Sequence, residues 1–417
     1  MFRLGFLACI FCGIGLAVVS FTFFLWTWWI GPAPAAFLWL AIAAYIAAGI
    51  ALFRYRAPAR TQPYDILFGS LFSLFCIYTG WLTLGKYWAQ PHGAWDAWSI
   101  WNFYARLLNR DGAHWLSTSS QIIYGGHPDY PLLLSSLVAD GWKLAGNEST
   151  VVPAVISVLF AFLGAGLLAG SVGLISTPLR GFLVGLMLVA TPDFIREGTN
   201  QMADVPLAFF ILMTVVLLYV AETSPRKNAF LALAGASAGF ACWTKNEGLL
   251  FLVCLVAARV LSAIVLRQRI WHDAQIFCIG LLPVLAIVLS YKFLRTPGSY
   301  FFANPSEFTG RLTDPSRYMA IAKYFARSIA DFGGGRISPL IAVANFLFCF
   351  GRRPFKNGYS AQFTIALLLI MMLTGYFMIY VIDPENLQWH LMTSFPRLLI
   401  HLWPAFLFCV GCTGAEK

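Results

Sequence analysis

The chain has 417 residues, 59% of them hydrophobic and only 11% charged, with a mean hydropathy of +0.73. That much apolar surface excludes a water-soluble domain. The formal net charge of +10 is spread among apolar segments and never gathers into one basic surface, which excludes nucleic acid as a partner.

A spanning helix takes roughly 20 mostly apolar residues, and lipid satisfies no backbone polar group, so such runs must be helical. The sequence predicts an all-α fold, a polytopic transmembrane helical bundle of about twelve spans: 4–30, 34–53, 64–85, 151–176, 179–192, 204–221, 229–243, 248–266, 274–294, 337–350, 363–382 and 398–413. The runs 179–192, 229–243 and 337–350 are the shortest and the least sharply bounded. The first run follows only Arg3 and exceeds a signal-peptide core in length, so it reads as a retained helix. Trp26, Trp28, Trp29, Trp88, Trp95, Trp389 and Trp403 fall near predicted helix ends, as in an interfacial aromatic belt. The nine cysteines lie almost wholly inside apolar runs, which argues against a disulfide framework. The pairs Cys9/Cys12 and Cys409/Cys412 have no polar company and read as small residues packing between helices.

From a cytoplasmic N-terminus, alternation places Arg54/Arg56/Arg60, Arg226/Lys227, Arg267/Arg269 and Arg352/Arg353/Lys356 inside, as the positive-inside rule requires. The polar stretches near 86–150, 193–204, 295–336 and 383–397 then lie outside, with most of the acidic residues. Function is expected on that face, in loops held by a helical scaffold. The first loop is expected to carry two interfacial helices. In one, Trp98, Trp101 and Ala105 recur at helical spacing before Asp111-Gly112. The other begins at Pro131 and runs through Leu132, Leu133, Leu134, Leu137 and Val138, while Ser135, Ser136 and Asp140 make it too polar to span.

Several polar groups on the outer side are candidates for chemistry. Asp96, between Trp95 and Trp98, is a carboxylate held among aromatic rings at a membrane surface, which suits it to remove a proton from an alcohol; a helix N-cap is the competing role. His127 and Asp129, in the rigid turn His127 to Leu132, offer a hydrogen-bonded pair or two ligands for a divalent metal, or simply a structural turn. Asp193, Arg196, Glu197, Asn200 and Asp204 cluster in one short connector, with Asp204 directly against the next apolar run. An ionisable group there costs free energy unless it faces a cavity or a partner. Lys245, in Thr244-Lys245-Asn246-Glu247-Gly248, can hold a phosphate or pair with Glu247. Arg397, at the end of Trp389 to Arg397, can grip a lipid-linked phosphate or extend to headgroups. No GxxxxGK[ST], GxGxxG or HExxH pattern occurs, so nucleotide cradling and zincin chemistry have no support.

In their order and common side, Trp95-Asp96-Ala97-Trp98, the His127 to Leu134 turn, Ala203 to Ala208, Thr244 to Gly248 and Trp389 to Arg397 resemble the GT-C superfamily of polytopic glycosyltransferases, in particular the bacterial branch related to protein mannosyltransferases and the aminoarabinose transferase of lipid A. The resemblance covers Tyr64 onward, which divides the chain into two additional N-terminal helices (1–63) and a GT-C-like catalytic module (64–417). It implies an inverting enzyme that moves a sugar from a polyprenyl-phosphate donor to a lipid, glycan or protein hydroxyl, in a bacterial inner membrane and on its outer face. It implies Asp96 as the catalytic carboxylate, and His127, Asp129, Glu197 and Asp204 as positions for acceptor, donor or metal. Lys245, Arg397 and Arg336 are the phosphate-binding candidates. Ala97 stands where some relatives have a second acidic residue, which leaves a divalent metal open. Two rival functions are a lipid-linked saccharide flippase, which predicts charges buried at mid-membrane, and a diphosphate-donor polymerase or ligase, which predicts several arginines on one cavity, drawn from Arg295, Arg311, Arg317, Arg327 and Arg336.

Overall fold

The computed structural model describes residues 1–54, 64–111, 127, 129–295, 305–335, 338–351 and 358–414. In chain order the helices are α1 (Phe2–Trp29), α2 (Ala35–Arg54), α3 (Asp65–Ala89), α4 (Asn102–Asp111, entered through a π-turn at Ala97–Trp101), α5 (Leu133–Ala145), α6 (Val151–Ile175), α7 (Pro178–Val189), α8 (Pro192–Thr199), α9 (Asp204–Thr223), α10 (Lys227–Thr244), α11 (Asn246–Val265), α12 (Trp271–Arg295), α13 (Pro305–Leu312), α14 (Pro315–Ala330), α15 (Pro339–Phe350), α16 (Tyr359–Ile382) and α17 (Leu387–Gly411). The apolar runs are helical, as an all-α polytopic bundle requires. Among the described residues, eight helices are long and apolar enough to cross a membrane, or nine if α7 and α8, bent by 64° at the break before Pro192, form one broken span. The expected spans in α2, α10 and α15 are helical without meeting that measure.

The centre of the bundle is α9. It is apolar on every side, so it has no polar face to turn outward. Of its most apolar stretch 94% is buried, against 22% for α3 and α12 at the periphery. Around it pack α6, α10, α16 and α17. The helices α10 and α12 meet through small residues. A Cβ on Gly280 would lie 1.8 Å from the Ala232 carbonyl oxygen, and one on Gly235 would lie 1.9 Å from that of Phe277. Neither position admits a side chain unless the backbones separate. Gly280→Val is therefore expected to destabilise the protein by at least about 1–3 kcal/mol, read as a lower Tm in detergent; an unchanged Tm would mean that the approach is looser than described.

The final helix departs from the expected boundary. It begins at Leu387 rather than 398, with the Asn386 side-chain oxygen accepting from the Trp389 N–H at 3.0 Å as an N-cap. His390, Pro396 and Arg397 suggest a loop because a proline and charged groups are poor signals for a span. In the bundle they lie within α17, turned partly toward protein partners. The stretch 387–397 is thus helix.

Both expected first-loop helices are present as α4 and α5. The Ser20 hydroxyl donates to the Leu133 carbonyl at 2.7 Å, and the Ser135 hydroxyl donates to that of Trp101 at 2.9 Å, so α5 is bonded both to α1 and to the turn that leads into α4. Asp140 on α5 is buried and its Oδ1 has no hydrogen-bond partner. Burial pushes this carboxyl from its ordinary 3.8 up to about 7. Between those values the folded chain holds a proton that the unfolded chain has released, so this group's contribution to stability falls as pH rises through that window. Asp140→Asn removes the ionisation. Its Tm is expected to gain on the wild type between about pH 5 and about pH 8, whereas parallel curves would place the Asp140 titration elsewhere.

Candidate active site

The site is organised by Asp204, the first residue of α9 and only 1% exposed. A buried carboxylate needs counter-charge, and three cationic or donor groups converge on its Oδ1. Lys245 Nζ lies 2.9 Å away, His401 Nε2 2.8 Å and Arg397 Nε 3.8 Å. Lys245 occupies the break between α10 and α11, where the backbone is extended (φ −159°, ψ 159°) and delivers the side chain inward. Its ammonium also pairs with Glu247 Oε1 at 2.8 Å. Burial alone would push the Lys245 ammonium down, but Asp204 and Glu247 outweigh it and hold it above the usual lysine range, so it stays charged. On α17, His401 is fully buried, and its Nδ1 lies 3.2 Å from the Tyr376 hydroxyl on α16.

Arg397 links this buried group to the first loop. Its Nη1 donates to Asp96 Oδ2 at 2.5 Å, across 301 residues of sequence. Asp96 stands at the start of the π-turn, but its side chain makes no capping hydrogen bond. The N-cap role does not describe it. Its side chain is 30% exposed, beside Trp95 and Trp98, whose rings meet edge to face at 4.4 Å. The loop is pinned from beneath by the α8–α9 connector. The Ala94 N–H donates to the Asn200 carbonyl at 3.1 Å, Asn102 Nδ2 donates to Gln201 Oε1 at 3.1 Å, and Gln201 Nε2 donates to the Pro91 carbonyl at 3.0 Å. Gly93 is required in this approach. Its φ is +74°, and a Cβ would lie 2.6 Å from the Asn200 carbonyl oxygen.

Glu197 is buried at the edge of this network, accepting from Asn200 Nδ2 at 3.0 Å, while Arg196 pairs with Asp193 at 2.7 Å. Lys86 reaches the same corner from α3, donating to Asn200 Oδ1 at 2.6 Å. His127 and Asp129 part company. The His127 ring stacks on Tyr130, which stacks on Trp101. Asp129 Oδ2 accepts from Asn246 Nδ2 at 2.5 Å, and Lys292 bonds both Asn246 and the Asp129 backbone. Among the described residues no three His, Cys, Asp or Glu side chains converge on a metal position.

Asp96, Asp204, Lys245 and Arg397 thus form one network, with Glu197 beside it and Asp129 bonded to Asn246, the neighbour of Lys245. Arg336 lies outside the described residues, as does the Arg295 side chain. The other loop arginines are engaged elsewhere. Arg311 bonds the Ile382 carbonyl and Arg317 those of Tyr380 and Asp383, closing the C-terminal end of α16, and Arg327 is largely exposed beside Asp331. His401, Tyr376, Asn102, Gln201 and Lys292 were not anticipated. The four-residue spacing of His401 from Arg397 puts the two on one helical face only because α17 runs through both.

Residues 149–296 match the family model "Dolichyl-phosphate-mannose-protein mannosyltransferase". This match supports the GT-C resemblance carried by the motifs. No functionally curated protein matches the chain. Two solved structures are similar to it, both of ArnT from Cupriavidus metallidurans. The apo form has 14% identity and a TM-score of 0.45, over 80% of this chain and 59% of that one. The form bound to undecaprenyl phosphate has 14% identity and a TM-score of 0.47, over 84% and 60%. The match therefore spans about 60% of the ArnT chain.

The network makes a stability prediction. Lys245→Met strips an ammonium from the buried Asp204 and the half-buried Glu247 and is expected to cost about 3–5 kcal/mol. Adding Asp204→Asn should recover part of the loss, as judged by thermal unfolding in detergent; equal losses in the single and double variants would show that the pair does not carry the effect.

Proposed function

We propose that the chain is an inverting membrane glycosyltransferase that moves a sugar from a polyprenyl-phosphate donor to an acceptor hydroxyl on the non-cytoplasmic face of a bacterial inner membrane. The observation that carries this reading is Arg397, held between the partly exposed Asp96 and the buried Asp204 in a chain whose residues 149–296 match the mannosyltransferase family model. Asp96 accepts the acceptor proton as the acceptor oxygen attacks the anomeric carbon, and the bond to the donor phosphate breaks with its electron pair leaving on the phosphate. Asp96 loses one negative charge in this step and the phosphate gains one. The charge of the site is therefore constant while its position shifts. Arg397 Nη1 holds Asp96 and the buried Nε faces Asp204, which leaves Nη2 as the guanidinium donor for a phosphate oxygen. As Asp96 is neutralised its hold on Arg397 weakens, and that charge becomes available to the leaving phosphate.

Lys245 has a different part in this reading from the one its residue type suggests. It is sealed between Asp204 and Glu247 and sets the charge of the support beneath Arg397. A flippase would need charges at mid-membrane. Arg397 and His401 lie well inside α17, but they meet the first residue of α9, which supports a position at the end of the bundle. The diphosphate-donor reading loses its main support because Arg311 and Arg317 are spent on helix-end carbonyls.

Asp96→Asn, tested in membranes with a labelled polyprenyl-phosphate sugar, is expected to lower transfer by at least about a hundredfold. Near-normal turnover would remove Asp96 from the mechanism.

A further inference from the structure

We propose that His401 and Tyr376 are positioning residues, which orient the Asp204 carboxylate and through it the Arg397 guanidinium. The inference rests on the preceding reading, in which Arg397 receives the lipid phosphate. A carboxylate only accepts hydrogen bonds, so the 2.8 Å contact with Asp204 Oδ1 requires a proton on His401 Nε2. In the neutral ring Nδ1 is then an acceptor, and the Tyr376 hydroxyl at 3.2 Å is its donor. The result is a one-way chain from Tyr376 through His401 to Asp204. None of the three residues is more than 1% exposed, so bulk water cannot replace any link.

The two strong contacts on Asp204 come from different elements. Lys245 approaches from the α10–α11 junction and His401 from α17. Lys245 carries the compensating charge on a flexible stem with freely rotating donors, whereas the imidazole is planar and its N–H direction is set by packing and by Tyr376. Direction matters because Arg397 Nε lies 3.8 Å from Asp204 Oδ1, beyond a hydrogen bond. Arg397 is thus oriented by where the carboxylate's charge sits. Arg397 and His401 are one turn apart on α17, so a shift of Asp204 relative to His401 is felt by the guanidinium.

The test measures binding of undecaprenyl phosphate to the purified full chain, by intrinsic tryptophan fluorescence. His401→Leu is expected to weaken binding by about tenfold, whereas His401→Gln, whose amide nitrogen can donate to Asp204, should stay within about threefold of wild type. In an Asp204→Asn background, His401→Leu should add no further loss, because its effect passes through that carboxylate. Tyr376→Phe removes one hydroxyl, covers the case in which His401→Leu does not fold, and is expected to weaken binding by about threefold. Wild-type affinity in His401→Leu or in Tyr376→Phe, equal losses in the Leu and Gln variants, or multiplied losses in the double variant would overturn the assignment and leave the donor reading standing. A wild-type chain that does not bind undecaprenyl phosphate would overturn both.

Discussion

A carboxylate buried at the end of a central helix cannot remain charged without partners, and the Asp204 carboxylate imposes that requirement on the rest of the site. The partners come from two distant parts of the chain: Lys245 from the α10–α11 break, His401 and Arg397 from α17. Losing one counter-charge would leave an uncompensated ion in a dry environment, a penalty of several kcal/mol that no nearby apolar contact offsets. The ends of α9 and α11 and the body of α17 are thereby brought to one point. The position of Arg397 follows from that constraint, and the position of Asp96 follows from Arg397.

The first loop meets the same network from the other side. It lies on the connector between α8 and α9, through the Asn200 carbonyl and the Gln201 side chain, and Gly93 gives the close approach. Gln201 itself has a positive φ of 60°, a backbone state that a non-glycine residue adopts at some cost. That strain sits three residues from Asp204. The connector therefore serves two masters: it carries the loop that holds Asp96 and it begins the helix that holds Asp204. Two carboxylates far apart in sequence are set against one guanidinium by a few residues of backbone.

How much of this was legible in the sequence depends on the range of the interaction. Asp204 stood out because a charge directly against an apolar run has few inexpensive explanations. The Lys245–Glu247 pair could be expected from their spacing alone. Asp96 was legible through the motif that surrounds it, but its partner Arg397 was not assigned to it, because nothing local connects residues 301 apart. Pro396 and the charges around it hid the true start of α17, and with it the fact that Arg397 and His401 share a helical face. His401 and Tyr376 lie inside apolar runs, where a single polar side chain reads as a tolerated core residue. Their role depends on α16, α17 and α9 meeting, which is a property of packing and not of any one segment.

The division of labour between the two carboxylates follows from their surroundings. Asp204 is enclosed, with its charge neutralised by Lys245, so it is poorly placed to meet an acceptor hydroxyl. Asp96 keeps part of its side chain exposed and makes one charged contact, so it can gain a proton without leaving a buried cation stranded. Arg397 touches both, and only one of its two contacts can change during a reaction. In the proposed reaction, neutralising Asp96 leaves the guanidinium beside Asp204, and its freed charge is available to a leaving phosphate on the Asp96 side. A lysine could supply the same charge, but its single ammonium would have to choose between the two carboxylates. The planar fork of arginine addresses both at once, which is the geometric reason for that residue type at this position.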